Sequence, residues 1–167
     1  MIGTAKHIQK RLRYKMKDLT KKLTIALVAH DRRKVDMVEW ATFNAKFLSK
    51  HTLVCTGTTG GLIEEAMKAA GYPDVQVIKK NSGPLGGDAE IATMVVRKEV
   101  DLAIFLIDDL YPHPHEADIQ MLLRQCRIWN IPIACNRYTA DLLITSSLWN
   151  EEGYEPSPPK YVEFDRV

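Results

Sequence analysis

Five short apolar runs punctuate the chain, at residues 23–29, 52–55, 75–78, 102–107 and 131–135. Several are apolar at every position rather than at alternate ones, the pattern of strands covered on both faces. Between them lie segments with helical spacing. Val35, Met37, Val38, Trp40, Ala41, Phe47 and Leu48 fall on one stripe, with Asp36, Glu39, Lys46 and Lys50 on the other side. Comparable segments cover 61–70, 88–98, 117–129 and 140–147, and Gly71-Tyr72-Pro73 ends the second helix. Strands alternating with helices predict right-handed crossovers and a central, mostly parallel five-stranded sheet. The expectation is α/β: a single doubly wound domain over residues 23–149, followed at 150–167 by a tail with Pro156, Pro158 and Pro159.

Size and composition narrow the class. The 167 residues suffice for one domain with a core of its own. No apolar run approaches the roughly 20 residues of a membrane span, and the N-terminus lacks the pattern of a secretory signal. Cys55, Cys126 and Cys135 make an odd count with no CxxC pair, which argues against disulfides or a thiolate zinc site and makes them core residues. Trp40, Trp129 and Trp149 read as packing. A cytoplasmic domain is expected. Charge divides the chain: residues 1–22 carry eight Lys or Arg against Asp18 alone, whereas the rest holds 15 basic against 20 acidic residues. A basic extension thus precedes an acidic body. With Tyr14 as its one stacking aromatic, nucleic-acid binding is not expected of it.

In open parallel sheets ligands bind beyond the carboxyl ends of the strands. Here those ends carry His30-Asp31, Thr56-Gly57-Thr58-Thr59-Gly60, Ser82-Gly83-Pro84-Leu85-Gly86-Gly87-Asp88, Asp108 with Pro112-His113-Pro114-His115, and Asn136. The loop at 56–60 offers hydroxyls and backbone amides beside a positive helix end, a recipe for phosphate that also serves simple capping. It lacks the Gly-Lys-Ser/Thr ending of a nucleotide-binding P-loop. Asp88, presented by a glycine turn at a helix start, reads as an N-cap or as a general base. Asp31, Asp108 and Asp118 either orient the histidines or cap and solvate. Lys34 contributes only if it leans back toward the rim. His113, His115 and Asp118 lack a further ligand at characteristic spacing, so no metal is expected. A neutral histidine beside a carboxylate base needs none, as in triosephosphate isomerase, a worked example of that principle.

The stretches Ala26-Leu27-Val28-Ala29-His30-Asp31, 56–60, 82–88, Pro114-His115 with Asp118, and Trp129-Asn130-Ile131-Pro132 with Asn136 resemble methylglyoxal synthase in order and spacing, over residues 23–147. The resemblance implies a lyase converting dihydroxyacetone phosphate to methylglyoxal and inorganic phosphate without metal or organic cofactor, assembled as a homohexamer. Asp88 matches the family's base and His115 its active-site histidine. His30, Lys34, Thr56, Gly57, Thr58, Thr59, Ser82 and Gly83 match substrate-binding positions, and Asp31, Asp108 and Asp118 the supporting aspartates. Asp109 and His113 depart from the pattern. For the arginine the family supplies to the phosphate, Arg166 and Arg137 compete. The same fold serves as a regulatory ligand-binding module elsewhere; retention of both Asp88 and His115 favours the enzyme. A nucleic-acid adaptor resting on the basic extension is the remaining alternative.

Overall fold

A computed structural model describes residues 21–154. Most of the basic extension at 1–22, and the tail beyond Tyr154 with Arg166, lie outside the described residues. Five strands, β1 (Thr24–Ala29), β2 (Thr52–Cys55), β3 (Gln76–Lys79), β4 (Leu102–Leu106) and β5 (Ile133–Ala134), form one all-parallel sheet in the order β3-β2-β1-β4-β5. The helices are α1 (Lys34–Phe43), α2 (Ala45–Leu48), α3 (Gly57–Ala69), α4 (Gly87–Val96), α5 (Glu116–Ile128) and α6 (Arg137–Ile144).

Strands β1, β2 and β4 are almost wholly apolar because each feeds two cores, whereas the edge strand β3 carries Gln76 and Lys79 and is mostly exposed. Ile25, Leu27, Leu102, Ile104 and Leu106 turn to the face covered by α1, α3 and α6, where Met37, Trp40, Ile63, Met67, Ala140 and Ile144 meet them. Ala26, Val28, Ala103 and Phe105 turn to the other face, against Ile91 and Val95 of α4 and Ile119 and Leu122 of α5. Burying one such aliphatic side chain contributes about 1.5–3 kcal/mol, so central β1 and β4 anchor the fold. The order reverses between β1 and β4: successive crossovers move outward to β2 and β3, then return past β1. That reversal opens a crevice at their carboxyl ends.

Several boundaries differ from the sequence reading. The first helical stripe breaks at Asn44, whose side-chain amide donates to the Trp40 carbonyl at 3.0 Å. Val35 is 69% exposed rather than part of that stripe, because it sits about 200° around the helix from Met37. The second helix starts at Gly57, not residue 61, with Thr56 as N-cap. Helix α6 likewise starts early, at Arg137, because the Asn136 side chain accepts from the Thr139 amide at 2.9 Å. Strand β5 is cut to two residues, and Pro132, which has no N–H to donate, stands just before it. Cys135, just past that strand, is exposed, which corrects the expectation of a core thiol; Cys55 and Cys126 are buried, and burial pushes both up to about 12. Trp40 is buried and donates to Asp141 at 2.7 Å; Trp129 and Trp149 pack partly buried against the two cores.

Candidate active site

The crevice holds a cavity of about 660 Å³. Strand β1 delivers His30, with Asp31 and Lys34 in the turn that follows. The end of β2 delivers Thr56 and Thr58, the segment after β3 delivers Ser82, Gly83 and Pro84, and α4 delivers Asp88. The segment after β4 closes the rim with Asp108, Tyr111, Pro112, His113, Pro114 and His115.

Asp88 is the least ordinary of these residues. Gly86 at φ 91° is the N-cap of α4, which places Asp88 inside the first turn and rules out the N-cap reading. A side chain is excluded at Gly87: its Cβ would lie 2.0 Å from the Asn81 carbonyl oxygen. The backbone of 81–82 thus packs directly on the start of α4, and the Asp88 carboxylate turns inward. It is 1% exposed, and neither oxygen has a hydrogen-bond partner among the described residues. Burial raises its pKa above the usual carboxylate range, opposed chiefly by His115. The His115 Nε2 lies 3.4 Å from Oδ2, near enough for electrostatic coupling, and its Nδ1 is buried with no partner among the described residues. A Cβ on Gly83 would sit 3.1 Å from Asp88 Oδ2 and 3.2 Å from His115 Nε2, so the glycine keeps space beside the pair.

His30 is 6% exposed and its tautomer is dictated locally. The Asp108 amide donates to Nδ1 at 3.0 Å, so the neutral ring carries its proton on Nε2, which has no acceptor among the described residues. Burial first, then the neighbouring His113 and His115, push its pKa down to about 4. The cavity therefore contains an uncharged N–H donor and an underbonded carboxylate.

A cradle faces them. The first amides of α3 have no intrahelical acceptors. The Gly57 amide bonds to Asn81 O at 3.0 Å and that of Gly60 to Thr56 O at 2.8 Å, leaving Thr58 and Thr59 to present theirs at the positive helix end. Lys34 leans back, 19% exposed, and its Nζ meets Asp31 at 2.6 Å. That bond lowers the Asp31 pKa, and it is Lys34, not a histidine, that the Asp31 carboxylate bonds. Asp108 engages the His30 ring through its backbone, while its carboxylate accepts from the Leu110 amide at 3.2 Å and lies 3.6 Å from Arg32 Nε.

Thus His30, Asp31, Lys34, Thr56, Thr58, Ser82, Gly83, Asp88, Asp108 and His115 come together. Gly57, Thr59 and Asp118 do not line the cavity. Thr59 is buried behind Thr56, its hydroxyl 3.4 Å away; Asp118 lies in the first turn of α5 and makes no bond to a histidine side chain among the described residues. Arg137 pairs with Glu39 at 3.1 Å and Asp36 at 3.8 Å on the outer face of α1, away from the cavity. No cluster of three or more potential metal ligands occurs among the described residues. The sequence reading missed Arg32 and Tyr111, which line the mouth and face each other at 5.8 Å. Their signal was their place in the two strand-end loops already singled out.

The family model of the MGS-like domain matches residues 36–135. The chain is 63% identical to methylglyoxal synthase of Treponema socranskii, over 89% of this chain and 93% of that protein. It is 46% identical to the methylglyoxal synthase of Pseudoalteromonas atlantica, over 83% and 98%. The crystal structure of methylglyoxal synthase from Elizabethkingia anophelis superposes with a TM-score of 0.76 at 40% identity, covering 87% of this chain and 91% of that one. The chain belongs to the methylglyoxal synthase family, and it is an enzyme, a lyase.

Proposed function

We propose that this chain converts dihydroxyacetone phosphate to methylglyoxal and inorganic phosphate, with Asp88 as the base. The observation that carries the assignment is the Asp88 carboxylate: buried, underbonded, raised in pKa and 3.4 Å from a histidine in the strand-end cavity. Asp88 takes a proton from the hydroxymethyl carbon, and the electron pair flows through the new carbon–carbon double bond onto the carbonyl oxygen. His115 and the Nε2–H of His30 donate to the enediolate oxygens, where charge develops. Being uncharged, His30 polarises an oxygen without first giving up a proton. Protonation of the former carbonyl oxygen gives the enediol. The hydroxyl on the former hydroxymethyl carbon then passes its proton to the departing phosphate while its electron pair forms the aldehyde carbonyl. The double-bond pair shifts to the phosphate-bearing carbon, and the carbon–oxygen bond to phosphate breaks with its electrons leaving on phosphate. The enol left behind tautomerises to methylglyoxal.

Elimination requires the breaking bond to stand perpendicular to the enediolate plane. The cradle of Thr56, Thr58, Ser82, the amides of α3 and Lys34 sets that angle and neutralises the leaving group. Gly57 and Thr59 support it through the backbone and from behind, Gly83 keeps room for it, and Asp31 steadies the lysine. Asp108 fixes His30, and Asp118 contributes its charge near Asp88, where it opposes ionisation.

Free phosphate occupies the same cradle and competes with substrate. We assign the chain to a homo-oligomer, a hexamer by the family resemblance. Val35 and Phe43 on α1 and Tyr138 and Leu142 on α6, all more than half exposed on helices that touch, support such assembly. The three free thiols, one exposed, fit a reducing cytoplasm, and no helix among the described residues is long and apolar enough to cross a membrane. There the reaction would serve as a bypass that releases phosphate from a triose phosphate. Purified protein mixed with dihydroxyacetone phosphate is expected to yield methylglyoxal and phosphate in equal amounts. Phosphate binding without turnover would instead identify a regulatory module.

A further inference from the structure

One imidazole in the cavity has no part in this scheme. His113 departs from the family pattern, yet it is in close contact with the residues the scheme uses. Its ring lies 3.6 Å, centroid to centroid, from the His30 ring at 39°, and its Nε2–H donates to the Asp108 carbonyl at 3.0 Å. The amide of the same Asp108 donates to His30 Nδ1. One residue's backbone therefore holds both rings, His30 by its N–H and His113 by its C=O. Phe105 stands near-perpendicular to His30 at 5.1 Å, and the His115 ring lies at 5.8 Å. His113 is thus the ring nearest to His30 among the described residues.

The segment carrying His113 needs holding. Asp108, Tyr111, Pro112 and His113 line the substrate cavity and also a second cavity of about 440 Å³ toward α5. With space on both sides, the segment gains little from packing. Its contacts across the substrate cavity include the His113 stack, the Asp108 amide on His30, the His115 approach to Asp88 and the looser Arg32 approach to Tyr111 and Asp108. His115, at 5.8 Å from His113, follows on the same segment.

We propose that His113 is a positioning residue: stacked on His30 and bonded to the Asp108 carbonyl, it locks the His30 ring with Nε2–H toward the substrate and seats the segment that carries His115. The assignment rests on the proposed roles of His30 and His115. The stack is its main element, because only the stack touches His30; the bond to Asp108 sets the angle of the stacking ring. His113 itself needs neither to bind substrate nor to transfer a proton.

Two variants and two readouts test this. His113→Ala removes stack and bond, whereas His113→Phe restores the aromatic face without the donor. For His113→Ala, kcat is expected to fall about tenfold or more with KM for dihydroxyacetone phosphate within about threefold, the signature of transition-state misalignment. His113→Phe is expected to recover most of that loss. In the substrate-free protein, the His30 Nε2–H signal is expected to be sharp and slowly exchanging in wild type and His113→Phe, and broadened by ring motion and faster solvent exchange in His113→Ala. Wild-type kcat and an unchanged His30 spectrum in His113→Ala would overturn the proposal. So would a loss confined to KM, or equal damage by Phe and Ala. The NMR readout needs no turnover, so it stands apart from the catalytic reading, which fails if Asp88→Asn retains turnover.

Discussion

His30 couples catalysis to acid stability in a way the structure makes quantitative. In the unfolded chain its imidazole titrates near 6.5; in the fold, burial and two neighbouring histidines bring it to about 4. Between those values the unfolded state binds the additional proton, so stability is complete above the unfolded value and is lost as pH falls. At 1.36 kcal/mol per unit, the loss from this residue is roughly 2 kcal/mol by pH 5 and about 3 kcal/mol by pH 4. His30→Asn keeps an oxygen near Nδ1 to accept from the Asp108 amide but does not titrate. Urea unfolding from pH 4 to 8 at one protein concentration measures the difference. His51, also lowered by burial, contributes equally to both proteins and cancels. The wild type is expected to lose stability more steeply than the variant, with the gap opening below pH 6.5. Parallel curves would show that His30 is not held neutral, and its role as an uncharged donor would fall with that.

Asp88→Asn is expected to melt at a higher temperature than wild type at pH 7, since it removes a buried charge whose pKa is raised; the advantage shrinks on acidification as the wild-type carboxyl protonates, and equal melting at pH 7 would contradict this. Gly87→Ala drives a Cβ into backbone and is expected to cost about 3 kcal/mol or more by chemical denaturation, while an unchanged midpoint would show that the turn yields. Gly83→Ala, which crowds Asp88 and His115, is expected to keep its melting temperature and lose kcat. Lys34→Met is expected to weaken phosphate competition about 10- to 100-fold, the worth of one charge-assisted contact, checked by inhibition kinetics.

The sheet was legible because β1, β2 and β4 are short apolar runs that alternate with longer segments of helical spacing, the pattern of a parallel sheet with helical crossovers. The crevice followed from polar residues stationed at the ends of those strands. The start of α3 was not legible: Gly57 and Gly60 argue against helix by propensity, but a Cβ at Gly60 would fall 2.6 Å from Lys79 Cγ, and that packing against β3 overrides propensity. The burial of Asp88 was equally hidden, because an acidic residue in a first turn looks like a helix-dipole partner until Gly87 is seen pressed against Asn81. Asp31, Asp108 and Asp118 left two readings open, orienting the histidines or capping and solvating, because a sequence carries no side-chain direction; that direction pairs Asp31 with Lys34.

The central claim, that Asp88 is the base, is tested most directly by hydrogen exchange at the substrate's hydroxymethyl carbon in deuterated water, alongside methylglyoxal release and phosphate binding by calorimetry. In Asp88→Asn, exchange and product are both expected to fall by roughly 10²–10⁴-fold while phosphate binds as in wild type. Undiminished exchange in that variant, with phosphate binding intact, would contradict the account.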